Sequence, residues 1–199
     1  MALLVRYRIV LIAALLLALA HFAAPKPGAD AKPARIHVTN RYDGAGCGDV
    51  KRVSREIAGE TGKAMILCLL NFERRAHGLP PLAENYLLDR AALGHSEDMV
   101  ARRYFAHESP EGVSPSQRMR ATGYMPGPLG LMGENLAWGE GPYAAPAALM
   151  DDWMHSPPHR EALLKPELKV VGIGIVYGDG PTRKLLHAPA STATTDFGG

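Results

Sequence analysis

The chain carries 8 histidines, and few of them stand where chemistry is plausible. His107 follows Tyr104-Phe105-Ala106 and runs straight into Glu108-Ser109-Pro110-Glu111-Gly112, a turn signal. Loops held on a rigid scaffold are where sites gather. Glu134 lies in Gly133-Glu134-Asn135-Leu136-Ala137-Trp138-Gly139, among apolar neighbours and glycines. It is either an exposed loop charge or a carboxylate buried with a partner, and burial would require a cation, hydrogen bonds or a metal. His155 and His159 are four apart, a spacing that on a continuous helix puts two imidazoles on one face, as in zinc peptidases. Pro157 and Pro158 interrupt the backbone between them, and no Glu follows His155, so that pattern fails. Ser109, Ser114 and Ser156 lack the Gly-x-Ser-x-Gly setting of an activated serine. His95 falls among Leu88, Ala92 and Met99 on one helix face and reads as a core histidine satisfied by a hydrogen bond.

The elements that must position these residues follow from periodicity. Met65, Ile66, Leu69, Leu70 and Phe72 recur at helical spacing over Lys63 to His77, and Gly78, Pro80 and Pro81 supply the stop. Leu87, Leu88, Ala91, Ala92, His95, Met99 and Val100 predict a longer amphipathic helix over Glu84 to Arg103. Ser114-Pro115 is an N-cap followed by Pro at the first helical position, and the short helix it opens ends at Gly123. The run from Gly123 to Gly133 reads as a loop. Pro146 opens another helix that Pro157 and Pro158 break, with a last turn from His159 to Leu164. Val170, Val171, Ile173, Ile175, Val176 and Tyr177 then form a strand ending at Gly178-Asp179-Gly180. Leu185 to Ala188 and Ser191 to Phe197 are expected to pair with it as an antiparallel meander. Helices first and strands last predict an α+β domain.

Composition bounds the rest. A chain of 199 residues fits one domain with an N-terminal appendage. A net charge of +2 without a dense Lys/Arg run interleaved with aromatics excludes a nucleic-acid surface. Arg6 and Arg8 precede an apolar stretch from Ile9 to Ala20, followed by small residues, the layout of a secretory signal over residues 1–24. His21 and Pro25 cut the stretch short of the roughly 20 apolar residues that span a membrane, so membrane contact is expected only through an uncleaved N-terminal segment. Residues 25–62 read as a Pro- and Gly-rich linker and collar, with one short helix over Val50 to Ala58, and the domain occupies residues 63–199. Cys47 and Cys68 are an even number in an exported chain. One disulfide tying the collar to the first helix is the expectation, against a buried free Cys68 and an exposed Cys47.

Several motifs in order resemble the bacterial branch of the CAP superfamily, which groups cysteine-rich secretory proteins, antigen 5 and pathogenesis-related proteins (SCP-like domains). They are Leu69-Leu70-Asn71 to Leu82, Tyr104-Phe105-Ala106-His107-Glu108-Ser109-Pro110, Gly133-Glu134-Asn135-Leu136-Ala137, Trp153 to Arg160, Val171-Gly172-Ile173-Gly174 and Thr194-Thr195-Asp196-Phe197-Gly198. The resemblance implies an α-β-α sandwich, with a small central antiparallel sheet between helices, and a large cleft. It places His107, His159 and Glu134 in that cleft as a set able to hold zinc or another divalent cation. The place of the family's second acidic residue falls on Ser156, and Asp151, Asp152 or Glu140 could substitute only if the fold brings them near.

The expectation is a secreted, extracellular or surface-associated domain whose cleft, lined by His107, Glu134, His159 and Ser156, binds a small molecule, a lipid or an envelope partner. Catalysis is left open. Rival readings are a metal-dependent hydrolase, a lipid- or sterol-binding groove near Tyr104, Phe105, Trp138 and Trp153, and a structural envelope protein without a ligand. A hydrogen-bonded knot of His107, Glu134 and His159 that locks the loops is a further alternative.

Overall fold

The computed structural model describes residues 40–53, 59–182 and 188–199. The expected signal segment, most of the linker, and residues 54–58 and 183–187 of the expected collar helix and strand lie outside the described residues.

Each helix is built by local signals. Helix α1, Glu60–Ala76, puts acidic Glu60 in its first turn and Arg74 and Arg75 in its last, matching the helix dipole, and buries Ile66, Leu69 and Leu70 completely. Helix α2, Tyr86–Arg102, is capped by Asn85, whose side chain accepts from the Leu87 and Leu88 amides. It stops where Arg103 turns left-handed at φ 59°. Helix α3, Pro115–Ala121, starts with a reciprocal capping box between Ser114 and Gln117 and Pro at the first helical position. Helices α4, Pro146–His155, and α5, Pro157–Leu163, meet at Ser156. The two prolines therefore open α5 as well as ending α4, because the first turn has no amide bond for proline to break.

Four strands complete the fold: β1 (Ala83–Glu84), β2 (Met132–Glu140), β3 (Val170–Gly178) and β4 (Ala190–Gly198), in the order β1-β3-β4-β2. The antiparallel expectation holds for β4, which pairs that way with both β3 and β2. The short β1 adds a parallel pair to β3. Strand β2 was not legible as a strand, because two glycines and two glutamates depress its β propensity.

Register sorts the sheet into two faces. Val171 pairs with Phe197 and Ile175 with Ala193, and this face joins Ile66, Leu69, Leu149, Met150 and Trp153 of α1 and α4 in the main core. The opposite face carries Gly172, Gly174, Thr194, Asp196 and Glu134 and is covered by α2. A Cβ on Gly172 would stand 2.0 Å from the Leu88 carbonyl carbon, and one on Gly174 2.1 Å from the Leu93 amide nitrogen. Glycine at both positions lets α2 lie directly on β3. Helices α1 and α4 on one face and α2 on the other make the three layers.

Two features join the periphery to this core. Cys47 and Cys68 form a disulfide with Cα atoms 5.5 Å apart, and Tyr42, Cys47 and Val50 are core residues. The collar segment 40–53 is thus packed structure, and the packed region begins well before Lys63. Arg74, fully buried, sends its guanidinium to the carbonyls of Pro80 (2.8 Å), Leu163 (2.8 Å) and Lys165 (3.1 Å). The Leu163 carbonyl is one that the end of α5 leaves without an intrahelical partner, and the Lys165 carbonyl also accepts from the Leu168 amide at 3.3 Å.

Candidate functional site

The site forms at β2, an edge strand of the sheet. Successive strand residues point to opposite faces, and Glu134 and Asn135 each take one histidine. On the α2 face, Glu134 Oε1 accepts from His107 Nδ1 at 2.8 Å and Oε2 from Arg118 Nη2 at 2.5 Å. On the other face, the Asn135 side-chain amide donates to the backbone carbonyl of His159 at 3.0 Å. Three of the four residues expected at the cleft, His107, Glu134 and His159, are thereby gathered around one dipeptide.

Their environments differ. The Glu134 side chain is 2% exposed and that of His107 52%, so a buried carboxylate orients an accessible imidazole. A carboxylate only accepts hydrogen bonds, which places a hydrogen on His107 Nδ1 and leaves Nε2 without a partner among the described residues. Arg118, 14% exposed, balances the buried charge. Burial lowers the proton affinity of half-buried His159; Asp152 opposes that shift, and the neighbouring His107 adds to it. His159 Nδ1 is buried without a hydrogen-bond partner. Ser156 is the junction of α4 and α5 and makes no side-chain capping bond. Among the described residues it forms no hydrogen bond with His107, Glu134 or His159.

The loop from Arg103 to Ser114 that carries His107 is well tethered. Arg103 reaches the Gly180 carbonyl at 2.9 Å and Asp179 at 2.7 Å. Arg102 bridges Asp98 and Glu111, and the Ser109 hydroxyl accepts from the Val113 amide at 3.2 Å. Tyr104, Phe105 and His107 belong to this loop, since α2 already ends at Arg102.

Sequence reasoning missed two members of the site. Arg118 was visible only as one polar residue of a short helix. Asp196 is the other: it pairs directly with Glu134 across β2 and β4, is completely buried, and receives no hydrogen from any donor among the described residues. Its carboxyl is held well above the usual range, first by burial and then by the negative charge of Glu134, with Arg118 opposing. A protonated Asp196 can donate to Glu134, which two charged carboxylates could not do. An aspartate in a strand of buried residues was the available signal, since Asp is depleted in strands.

Of the three acidic residues that could substitute, Asp151 and Glu140 have partners away from Glu134, and Asp152 acts on His159 through its charge. Asp151 is buried and acts electrostatically on Arg41 and Tyr42 of the collar. Glu140 accepts from the Ala188 amide at 2.9 Å. Trp153, expected beside a lipid groove, is wholly buried and donates its indole N–H to the Leu136 carbonyl at 3.0 Å.

Residues 67–186 match the cysteine-rich secretory protein family, CAP. The chain belongs to the CAP family. Two Bacillus subtilis proteins are similar to it. YkwD is 35% identical over 108 residues, covering 54% of this chain and 40% of its own length. The membrane protein YlbC is 34% identical over 115 residues, covering 58% and 32%. The CAP chain described here thus aligns with less than half the length of either relative. An extracellular SCP-domain protein of Bacillus anthracis superposes with a TM-score of 0.58 at 25% identity, over 74% of this chain and 44% of that one. An outer surface protein of Borrelia burgdorferi shares the fold, with a TM-score of 0.53 at 19% identity over 67% of this chain and 89% of its own.

The donor set can be tested against a metal. His107 and Arg118 occupy both Glu134 oxygens, and a guanidinium beside the carboxylate repels a second cation. Among the described residues, no group of three His, Cys, Asp or Glu side chains converges to hold an ion. As placed, the trio His107, His159 and Glu134 does not fit a three-ligand metal set.

Proposed function

We propose that this CAP domain works outside the cytoplasm as a ligand-binding module whose contact group is the imidazole of His107, with His159 beside it. One observation carries the reading: a buried carboxylate, neutralised by Arg118, fixes His107 by Nδ1 and leaves Nε2 on an accessible ring. A fixed acceptor of this kind suits a small molecule presenting a hydroxyl or amine hydrogen. The Cys47–Cys68 disulfide supports an oxidising location, as do the extracellular and outer-surface descriptions of the two structural neighbours. The N-terminal apolar stretch from Ile9 to Ala20 agrees with export.

The rival metal-dependent hydrolase needs Glu134 as a ligand or proton carrier, which requires Arg118 to release it. A lipid groove would have to do without Trp153. The deciding experiment is a ligand-observed NMR screen of small polyols, sugars and amino acids against wild type and His107→Ala, with zinc calorimetry in parallel. The reading expects hits that vanish in His107→Ala. Stoichiometric zinc binding lost in both His107→Ala and His159→Ala would replace it with the metal reading.

A further inference from the structure

We infer that His95 is the positioning residue for His107: from inside helix α2 it fixes the backbone next to His107 and so keeps Nδ1 on Glu134. This rests on the reading of His107 as the contact group. The His95 side chain is buried, and its Nε2 lies 3.0 Å from the Ala106 carbonyl. A carbonyl only accepts, so Nε2 carries the hydrogen. Among the described residues, this is the one hydrogen bond that reaches the backbone of residues 105–108; the neighbouring restraints act at Tyr104, through its amide to Met99, and at Ser109. A short exposed stretch with a single backbone tether depends on that tether for its placement.

The rest of the surroundings fixes the His95 ring itself. Tyr104 packs on it with ring centroids 6.0 Å apart at 60°. The Tyr104 hydroxyl donates to Asp98 at 2.5 Å and lies 3.4 Å from His95 Nδ1. Asp98 is in turn held by Arg102. Helix, ring and hydroxyl leave the His95 Nε2–H aimed at one acceptor. Burial also disfavours the charged ring, consistent with a neutral imidazole that donates through Nε2. An apolar residue would fill the same space between Leu88 and Met99, yet would leave the Ala106 carbonyl and the His107 segment unheld. That difference separates a positioning role from simple packing.

The test compares His95→Gln, whose side-chain amide can donate to the same carbonyl, with His95→Leu, which fills space and donates nothing. The readout is the long-range proton–nitrogen spectrum of the His107 ring at neutral pH, with a thermal melt of each variant. Wild type and His95→Gln are expected to show His107 hydrogenated on Nδ1. A folded His95→Leu is expected to move towards the Nε2–H form that an unrestrained imidazole prefers. A folded His95→Leu with His107 unchanged overturns the role of His95 and leaves the site reading intact. Wild-type His107 already in the Nε2–H form removes the site reading, and the positioning role with it. If His95→Leu fails to fold, wild type decides: a slowly exchanging His95 Nε2–H supports the tether, and a rapidly exchanging one overturns it.

Discussion

Glu134 and Asp196 stand directly opposite each other across the β2–β4 ladder, two buried carboxyls on one face of the sheet with a single guanidinium, Arg118, to balance them. One charge fits that arrangement and two do not. Burial first, and then the charge of Glu134, hold the Asp196 carboxyl well above the usual carboxylate range.

A pH dependence follows. Asp196 keeps its proton in the folded chain where the unfolded chain has lost it, so the folded state binds more protons above the ordinary Asp value of about 3.9. Its stabilising contribution is complete below that value and is lost as pH rises towards the folded value. Asp196→Asn removes the penalty while keeping the shape. The variant should melt at or above wild type at neutral pH. The gap should widen with pH by up to about 1.4 kcal/mol per unit. Chemical denaturation of both proteins across pH 5 to 8 measures it, and a gap that stays constant with pH would show Asp196 already ionised in the folded chain.

Removing the central carboxylate should hurt the fold more than removing the accessible imidazole. Glu134→Leu removes the carboxylate that Arg118 is paired with in a buried setting and should cost about 3 kcal/mol in urea denaturation. A cost below about 1 kcal/mol would mean that the pair is effectively solvated.

Arg74 makes a similar point away from the site. Its guanidinium serves carbonyls of Pro80, Leu163 and Lys165, with no carboxylate partner among the described residues. Arg74→Met fills the volume and leaves the Pro80 and Leu163 carbonyls without this donor, at a cost of about 3 kcal/mol. Because the Leu163 carbonyl ends α5, hydrogen exchange should rise first in that helix. A uniform change across the domain would contradict this role.

The collar is part of the folding unit. Reducing the Cys47–Cys68 bridge, which spans a sequence separation of 21, should cost about 3 kcal/mol. A fragment of residues 63–199, lacking Tyr42, Cys47 and Val50 from the core, should melt far below one of residues 40–199. Equal melting temperatures would show that the collar contributes nothing.

Much of the fold was legible where local chemistry is explicit. Ser114 marked a helix start, the alternating valines and isoleucines marked β3, and His95 was rightly read as a core histidine with a hydrogen bond. Strand β2 was hidden because its two glycines and two glutamates depress strand propensity. The packed collar was hidden because its glycine-rich sequence resembles a linker, and its order comes from contacts with distant α1. The family resemblance, more than spacing, placed His107, Glu134 and His159 together. Asp196 and Arg118 escaped because nothing in sequence says which residues a register sets opposite Glu134.

The most direct test of the central claim is the thermal and chemical stability of His107→Ala. As an exposed contact group whose removal leaves Glu134 paired with Arg118, His107 should be dispensable for folding. The variant should therefore stay within about 0.5 kcal/mol of wild type. A loss of about 2 kcal/mol or more would show that His107 is a structural clamp, and would contradict the account of it as the ligand-contact group.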